Sequence, residues 1–445
     1  MSHDAPAPSH AVITPLPAPL HGSASVPGDK SISHRAVLFA AMAEGTSRLS
    51  GVLDSDDVRS SISAVRQLGA EATLERQPDG SLAGGVTGWG ANGPAQPDAP
   101  IYCGNSGTTA RLLMGVLAPW DVEVELTGDE SLQHRPMRRI TAPLMKMGAS
   151  FQPAGRETLP LVERGTRSLR AITYDAPMAS AQLKTAVLLA GVFANGTTTV
   201  NEPAPSRNHT ELMLPEFGVP TTAADRTASV EGPCTLKACE VRVPGDPSSA
   251  AFIACAAALK PCSSVQIENV SLNTARIGFT RTLERMGADV NVRHTGAAGK
   301  EPIGIISVAF TPALHGCEVP AEKIASIVDE VPVLALVAAH ARGLTVFRDV
   351  SELRVKETDR LAAIVEGLGL LGVDAWVDGN DLYIEGQPDL TTPPNLTFDS
   401  KGDHRLAMTW ALVGLCGKEP VVVENFDSVK ISYPRFLNDI ERLAR

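Results

Sequence analysis

Residues Val26–Gly45 read VPGDKSISHRAVLFAAMAEG. A Pro-Gly-Asp turn leads into the polar group Lys30-Ser31-Ile32-Ser33-His34-Arg35, and an apolar run of small residues, Ala36 to Ala43, closes at Gly45. The turn breaks the strand before it. Ser31 or Ser33 is placed to cap the free N–H groups of a new helix, and Gly45 is placed to end it. A buried helix that opens with Lys, Ser and Arg suits an anion, because its unpaired N–H groups and the positive end of its dipole face the same way. Capped alanine-rich core helices look the same, so this stretch alone does not choose between the two.

Working outward, the pattern of polar start, small-residue apolar helix and closing Gly or Pro returns five times. Asn105 opens NSGTTARLLMGVLAP, Ser180 opens SAQLKTAVLLAGVFANG and Pro247 opens PSSAAFIACAAALKP. Asp329 opens DEVPVLALVAAHARG and Asp403 opens DHRLAMTWALVGLCG. With starts at 31, 105, 180, 247, 329 and 403, the intervals are 74, 75, 67, 82 and 74 residues. A second kind of helix interleaves and ends on Gly before a strand-like segment: QLGAEA at Gly69, KMGASF at Gly148, EFGVPT at Gly218, RMGADV at Gly287 and LLGVDA at Gly372. A fixed period of this kind marks a repeated supersecondary unit. The turn is duplicated too, since VPGDKSISHRA (Val26–Ala36) matches VPGDPSSAAFI (Val243–Ile253) and three repeats follow each. The expected architecture is α/β: six copies of one βα unit in two pseudo-equivalent halves.

Composition agrees. A chain of 445 residues with 43% hydrophobic but only 4% aromatic residues fills its cores with Ala, Leu, Val and Gly, which suits helices packed closely on sheets. The formal net charge of −11 argues against broad contact with nucleic acid or an anionic membrane. A small anionic substrate then needs its cations concentrated locally. Cysteines 103, 234, 239, 255, 262, 317 and 416 show no C-x-x-C spacing, and Cys255 and Cys416 sit inside apolar helices. They read as thiols in a reducing compartment and not as disulfides or a zinc site. Met1–His21, rich in Pro and Ala and free of Arg, is neither a signal nor a transit peptide. Residues 1–10 are expected to form a loose tail and Ala11–Thr14 a strand. No apolar run approaches a membrane span, so the expected location is the cytoplasm.

The polar residues cluster where helices begin. They are Lys30, Ser31 and Arg35, then Asp54, Asp56 and Asp57 as caps of a helix over Val58–Leu68. Gly104-Asn105-Ser106-Gly107-Thr108-Thr109 lets the backbone approach a ligand while hydroxyls donate, yet it has neither Walker A nor dinucleotide spacing. Arg135 precedes Pro136, which favours a first helical turn. Ser180, Ala181, Gln182 and Lys184 are followed by Ser206-Arg207-Asn208-His209-Thr210-Glu211, which fits a phosphate, with plain capping the simpler reading of Ser206. Pro247-Ser248-Ser249 has lost its cations and reads as structural. Asp329-Glu330 precedes the most charged segment, Arg354–Arg360, where Lys356 and Arg360 are expected to share a helix face. Asp403-His404-Arg405 opens the last repeat; histidine is the one side chain whose unperturbed pKa lies near neutrality, but a lone His beside an Arg is more often structural than catalytic.

In order and spacing, GDKSISHRA, GNSGTTARL, HRPM, SAQLK, RVKETDRL and DHRLAM resemble the 5-enolpyruvylshikimate-3-phosphate (EPSP) synthase family, from about Val26 to the C-terminus. The resemblance implies a two-domain inside-out α/β barrel of six βαβαββ units, three per domain. Its domains would be 1–26 plus 244–445, and 27–243, with hinge crossovers near 26 and 243. It implies transfer of the enolpyruvyl group of phosphoenolpyruvate to the 5-hydroxyl of shikimate 3-phosphate, without metal or organic cofactor, by a monomer. Shikimate 3-phosphate would be held by Lys30, Ser31, Arg35, Ser180, Ala181, Gln182, Ser206, Asp329 and Lys356. Phosphoenolpyruvate would be held by Lys30, Gly107, Arg135, Gln182, Arg360, His404 and Arg405. The catalytic set implied is Asp329, Glu357, Lys30, Lys356 and His404.

Two positions depart from the family pattern. A Lys that many members carry before a Phe-Pro pair aligns one residue away from Lys430, and Glu352 stands where some members have Asn. Among related families, UDP-N-acetylglucosamine enolpyruvyl transferase carries a reactive Cys on the loop matching Gly128–Arg139, and this loop has none. RNA 3′-phosphate cyclase needs a nucleic-acid surface, and a silent phosphate-binding protein would not need the intact set of charged residues. For the family's inhibitor glyphosate the motifs are mixed: SAQLK, RNHTE and GDKS resemble its tolerant subclass. Gly107 and NTAR (Asn273–Arg276) depart from it, and Gly107 leaves the pocket one methyl wider. The expectation is that glyphosate competes with phosphoenolpyruvate.

Overall fold

The computed structural model describes residues 9–445, and the tail expected over 1–10 lies mostly outside them. Two compact units form. One comprises the described residues up to Val26 with Gly245–Gly296 and Ile303–Arg445; the other comprises Pro27–Pro244 with Ala297–Pro302. Each has its own continuous apolar core.

One repeat shows the pattern. Ile101–Tyr102 pairs in parallel with Glu123–Thr127 across the helix Gly107–Leu117, because parallel neighbours need a crossover. Glu123–Thr127 then pairs antiparallel with Leu161–Arg164, which pairs antiparallel with Ser150–Gln152. Among the described residues five such four-stranded sheets and one three-stranded sheet occur. This order of strands and helices is the βαβαββ unit that the resemblance implies.

Strands borrowed from elsewhere in the chain close each unit. The sheet of Thr46–Val52 takes its parallel partner from Glu240–Arg242, and that of Ser264–Ser271 takes His21–Ser25. The last sheet is built differently: His10–Ile13 pairs antiparallel with Val421–Glu424, which lies parallel to Leu396–Asp399.

The central helices are buried on all sides, as their lack of a polar face requires. Every residue from Ile32 to Met42 of the helix Lys30–Met42 is buried. Small residues let such helices touch: a Cβ on Gly115 would lie 2.3 Å from the Ala186 carbonyl oxygen. Gly28 of the duplicated turn is fixed in the same way, since a Cβ there would meet Gly51 O at 2.0 Å.

Several helix starts differ from expectation. Asp29, not a serine, caps the first helix by accepting from Ile32 N at 2.8 Å, while Ser33 Oγ accepts from Leu53 N. Ser55 caps Asp56–Gln67, Ser106 caps Gly107–Leu117 and Asp246 caps Pro247–Leu259. Lys356 and Arg360 do not share a helix. A 3₁₀ turn, Ser351–Val355, ends at Lys356, and Asp359 caps a new helix, Arg360–Leu370, by accepting from Ala362 N.

Candidate active site

In the unit built on Pro27–Pro244, hydrogen bonds tie three central-helix starts together. Arg35 is buried and donates to Thr210 Oγ1 at 2.9 Å, Thr185 Oγ1 at 2.7 Å and Ser31 O at 2.9 Å. Gln182 accepts from Arg111 Nη1 at 2.8 Å and donates to Thr108 Oγ1 at 3.0 Å. Arg135 donates to Asn105 Oδ1 at 2.5 Å and Ser131 Oγ at 3.1 Å, next to Gly107. Lys30 reaches Asp57 at 3.1 Å. Ser180 caps the helix Ala181–Gly191, so its first turn presents Ala181 and Gln182. Ser206 caps nothing; its hydroxyl donates to Glu202 at 2.9 Å. His34, behind this surface, bonds Ser61 Oγ at 2.8 Å. Burial first, then the charges of Lys30 and Arg35, push its pKa well below the ordinary value. It stays neutral, and the positive charge stays on the lysine and arginines.

In the other unit two of the corresponding helix starts, at Asp329 and Asp403, converge on one guanidinium. Arg360 is 1% exposed. It bonds Asp403 Oδ2 at 2.7 Å, Glu357 Oε2 at 2.6 Å and Asp329 Oδ1 at 3.2 Å. Burial opposes its charge, but Asp403, Glu357 and Asp329 together outweigh that, and its pKa rises. Lys356 Nζ lies 3.8 Å from Asp329. Asp403 also caps the helix His404–Cys416, accepting from Arg405 N at 2.8 Å. Arg405 is 3% exposed and stands over the Phe252 ring at 5.9 Å. Its Nε and Nη1 make no hydrogen bond among the described residues. A buried guanidinium with unmet donors and no carboxylate partner is a standing demand for an anion.

Pairings that the sequence did not reveal complete both arrangements. The repeat starting at Pro247 lacks a cation of its own, but Arg276 supplies one, bonding Asp246 Oδ1 at 2.8 Å and Ser248 Oγ at 3.0 Å. Lys184 is held between Glu202 at 2.8 Å and Glu211 at 2.7 Å. Nothing in the spacing of 184, 202 and 211 marks them as partners. The hairpin tip Ala297–Pro302 joins the Pro27–Pro244 unit through Glu301–His209 at 3.3 Å and Lys300 N to Glu216 at 2.7 Å. Lys430 stays on the surface, paired with Asp427 at 2.6 Å, and Glu352 lies in the 3₁₀ turn before Lys356. Among the described residues no cluster of three or more His, Cys, Asp or Glu could hold a metal, and no helix is long and apolar enough to cross a membrane.

The family described as EPSP synthase (3-phosphoshikimate 1-carboxyvinyltransferase) matches residues 15–440. The chain belongs to the EPSP synthase family. A 3-phosphoshikimate 1-carboxyvinyltransferase of Shouchella clausii is 43% identical over 427 residues, covering 95% of this chain and 96% of that one. One of Acidiphilium cryptum is 44% identical over 423 residues, covering 94% and 93%. An EPSP synthase structure from Acinetobacter baumannii superposes with a TM-score of 0.85 at 38% identity, covering 98% of both chains. The enolpyruvyl transferase NikO of Streptomyces tendae shares the fold, with a TM-score of 0.77 at 18% identity over 98% of both chains.

Proposed function

We propose that this EPSP synthase family member transfers the enolpyruvyl group of phosphoenolpyruvate to the 5-hydroxyl of shikimate 3-phosphate and releases phosphate. The observation that carries the reading is Arg405, a buried guanidinium beside the start of a helix whose Nε and Nη1 are unmet among the described residues. Arg suits the carboxylate and phosphate of phosphoenolpyruvate because its fork matches both bidentately. His404, Arg405, Arg360, Gly107, Arg135 and Gln182 are assigned to phosphoenolpyruvate. Ser31, Arg35, Ser180, Ala181, Gln182 and Ser206 are assigned to shikimate 3-phosphate, and Lys30, Lys356 and Asp329 to the reacting groups of both.

Addition requires a proton on the methylene carbon and removal of one from the attacking hydroxyl, and elimination of phosphate reverses these roles. Asp329 and Glu357 are suited to this because each holds a different nitrogen of Arg360, which fixes two carboxylates around one positive centre. Lys30 and Lys356, each beside a carboxylate, supply charge where the tetrahedral intermediate would gather it. The crossovers near residues 26 and 243 serve as a hinge in this scheme, glyphosate competes with phosphoenolpyruvate, and a monomer acts in the cytoplasm, where seven free thiols persist.

The test is phosphate release from phosphoenolpyruvate, with and without Mg²⁺. Release should require shikimate 3-phosphate and continue in a chelator. Release with UDP-N-acetylglucosamine and none with shikimate 3-phosphate would refute the reading.

A further inference from the structure

Glu202 follows the strand Gly196–Asn201 and is 5% exposed. Its Oε1 accepts the Ser180 N–H at 2.9 Å; its Oε2 accepts the Ser206 hydroxyl at 2.9 Å and the Lys184 ammonium at 2.8 Å. One carboxylate thus joins two serines that are far apart in sequence. Lys184 is itself 4% exposed, and Glu211 lies on its other side at 2.7 Å.

A phosphate dianion needs donors, and Ser206 has one hydroxyl proton, which points at Glu202. To bind phosphate the hydroxyl must turn to the ligand and leave Glu202 Oε2. That oxygen then still has the Lys184 ammonium, and Oε1 still has the Ser180 N–H, so no buried acceptor is left orphaned. The Ser180 hydroxyl oxygen accepts from Leu183 N at 3.4 Å as the helix cap and keeps its own proton to donate to the ligand.

We propose that Glu202 is a positioning residue for the phosphate of shikimate 3-phosphate. It sets the separation of Ser180 and Ser206 and releases the Ser206 hydroxyl on binding, while Lys184 keeps its charge compensated. The inference rests on the assignment of Ser180 and Ser206 to that phosphate.

Electrostatics and positioning predict opposite signs for Glu202→Gln. Removing a negative charge near a phosphate should tighten binding. One amide oxygen, however, cannot accept from Ser180 on one side and from Ser206 and Lys184 on the other, so positioning predicts weaker binding. Calorimetry with shikimate 3-phosphate, and with shikimate as the probe lacking phosphate, separates these. Glu202→Gln should weaken shikimate 3-phosphate about tenfold and shikimate less than about twofold, the scale of one lost charge-assisted hydrogen bond. Glu202→Asp, which keeps the charge and shortens the reach, should show the same selective loss and decides the matter if the glutamine variant fails to fold. Unchanged or tighter binding, or an equal loss for both probes, overturns the inference. A wild-type protein that does not bind shikimate 3-phosphate overturns the functional reading as well.

Discussion

Replacing Gly107 with alanine adds one methyl at the first residue of a helix whose N-terminus is assigned to phosphoenolpyruvate. The new Cβ would lie 3.2 Å from Arg111 Nη1, 3.5 Å from Arg135 Nη1 and 3.7 Å from Arg111 Cζ. The first contact is tighter than an ordinary van der Waals approach, and the second is normal. The methyl therefore pushes on Arg111, which donates to Gln182 Oε1 at 2.8 Å, and moves that pair by a few tenths of an ångström. Because side chains and not backbone must give, the cost belongs in the lower part of the usual 1–3 kcal/mol for an added methyl, about 1–2 kcal/mol. That is roughly five- to thirtyfold in affinity for a ligand filling the space. Glyphosate is longer than phosphoenolpyruvate and should lose more. The assay is the glyphosate inhibition constant and the phosphoenolpyruvate KM for wild type and Gly107→Ala. A wild type already tolerant at high inhibitor concentration, with no further change in the variant, would refute the reasoning and leave other residues to set the response.

Asp329→Asn and Glu357→Gln should each lower kcat by roughly a hundredfold or more, the scale of a lost general acid or base, with folding kept at some loss of melting temperature because each change is isosteric and leaves Arg360 two of its three carboxylates; near-normal turnover removes that residue from the catalytic set. Burial pushes the His340 pKa down to about 4. In the unfolded chain it titrates near 6.5, so His340 stabilises the fold above that pH, and up to about 2–3 kcal/mol is lost as pH falls toward 4. His340→Gln should flatten that part of the stability profile in denaturant titrations from pH 7 to pH 4, and an unchanged slope removes His340 as its source. Glu163 has the opposite sign. Burial alone raises its pKa well above the ordinary carboxylate value, and neither carboxyl oxygen has a partner among the described residues. Folding therefore takes up a proton above about pH 4.5, and stability falls as pH rises. Glu163→Gln should be the more stable form at pH 8 by denaturant titration, and a less stable variant contradicts this.

The repeats were legible because burial on all sides imposes a composition. A helix such as Val331–Ala339, buried throughout, must be apolar at every position, so six of them stand out at a regular spacing. Capping was legible only as a class. Asp29, Ser55, Ser106, Asp246 and Asp403 each lie within a few residues of the expected start, and a shift of one or two residues changes no hydrophobic pattern. The segment Arg354–Arg360 misled for a physical reason. Four-residue spacing fits a helix face, but the Asp359 side chain captures the Ala362 N–H and starts the helix at Arg360. Apart from Glu357, three residues before Arg360, the partners of Arg360, Lys184 and Arg276 come from distant segments, and pairing at such separations leaves no local signature.

Those partners also explain how an acidic chain can serve two polyanions. A lysine or arginine held at a buried site without compensation would cost several kcal/mol in desolvation. The molecule meets this with carboxylates: Asp57 for Lys30, Asp329, Glu357 and Asp403 for Arg360, and Glu202 and Glu211 for Lys184. In the proposed anion site the acids are therefore part of the arrangement, and a net charge of −11 does not oppose it. Arg405 differs in kind. It has the face of Phe252 where the others have a carboxylate, and its Nε and Nη1 are unmet among the described residues. A cation resting on a ring keeps its hydrogen-bonding donors for something else. An incoming carboxylate or phosphate meets no internal acid there to displace, so the strongest gain per contact falls at Arg405, whereas at Arg360 a ligand only adds to a charge balance already reached.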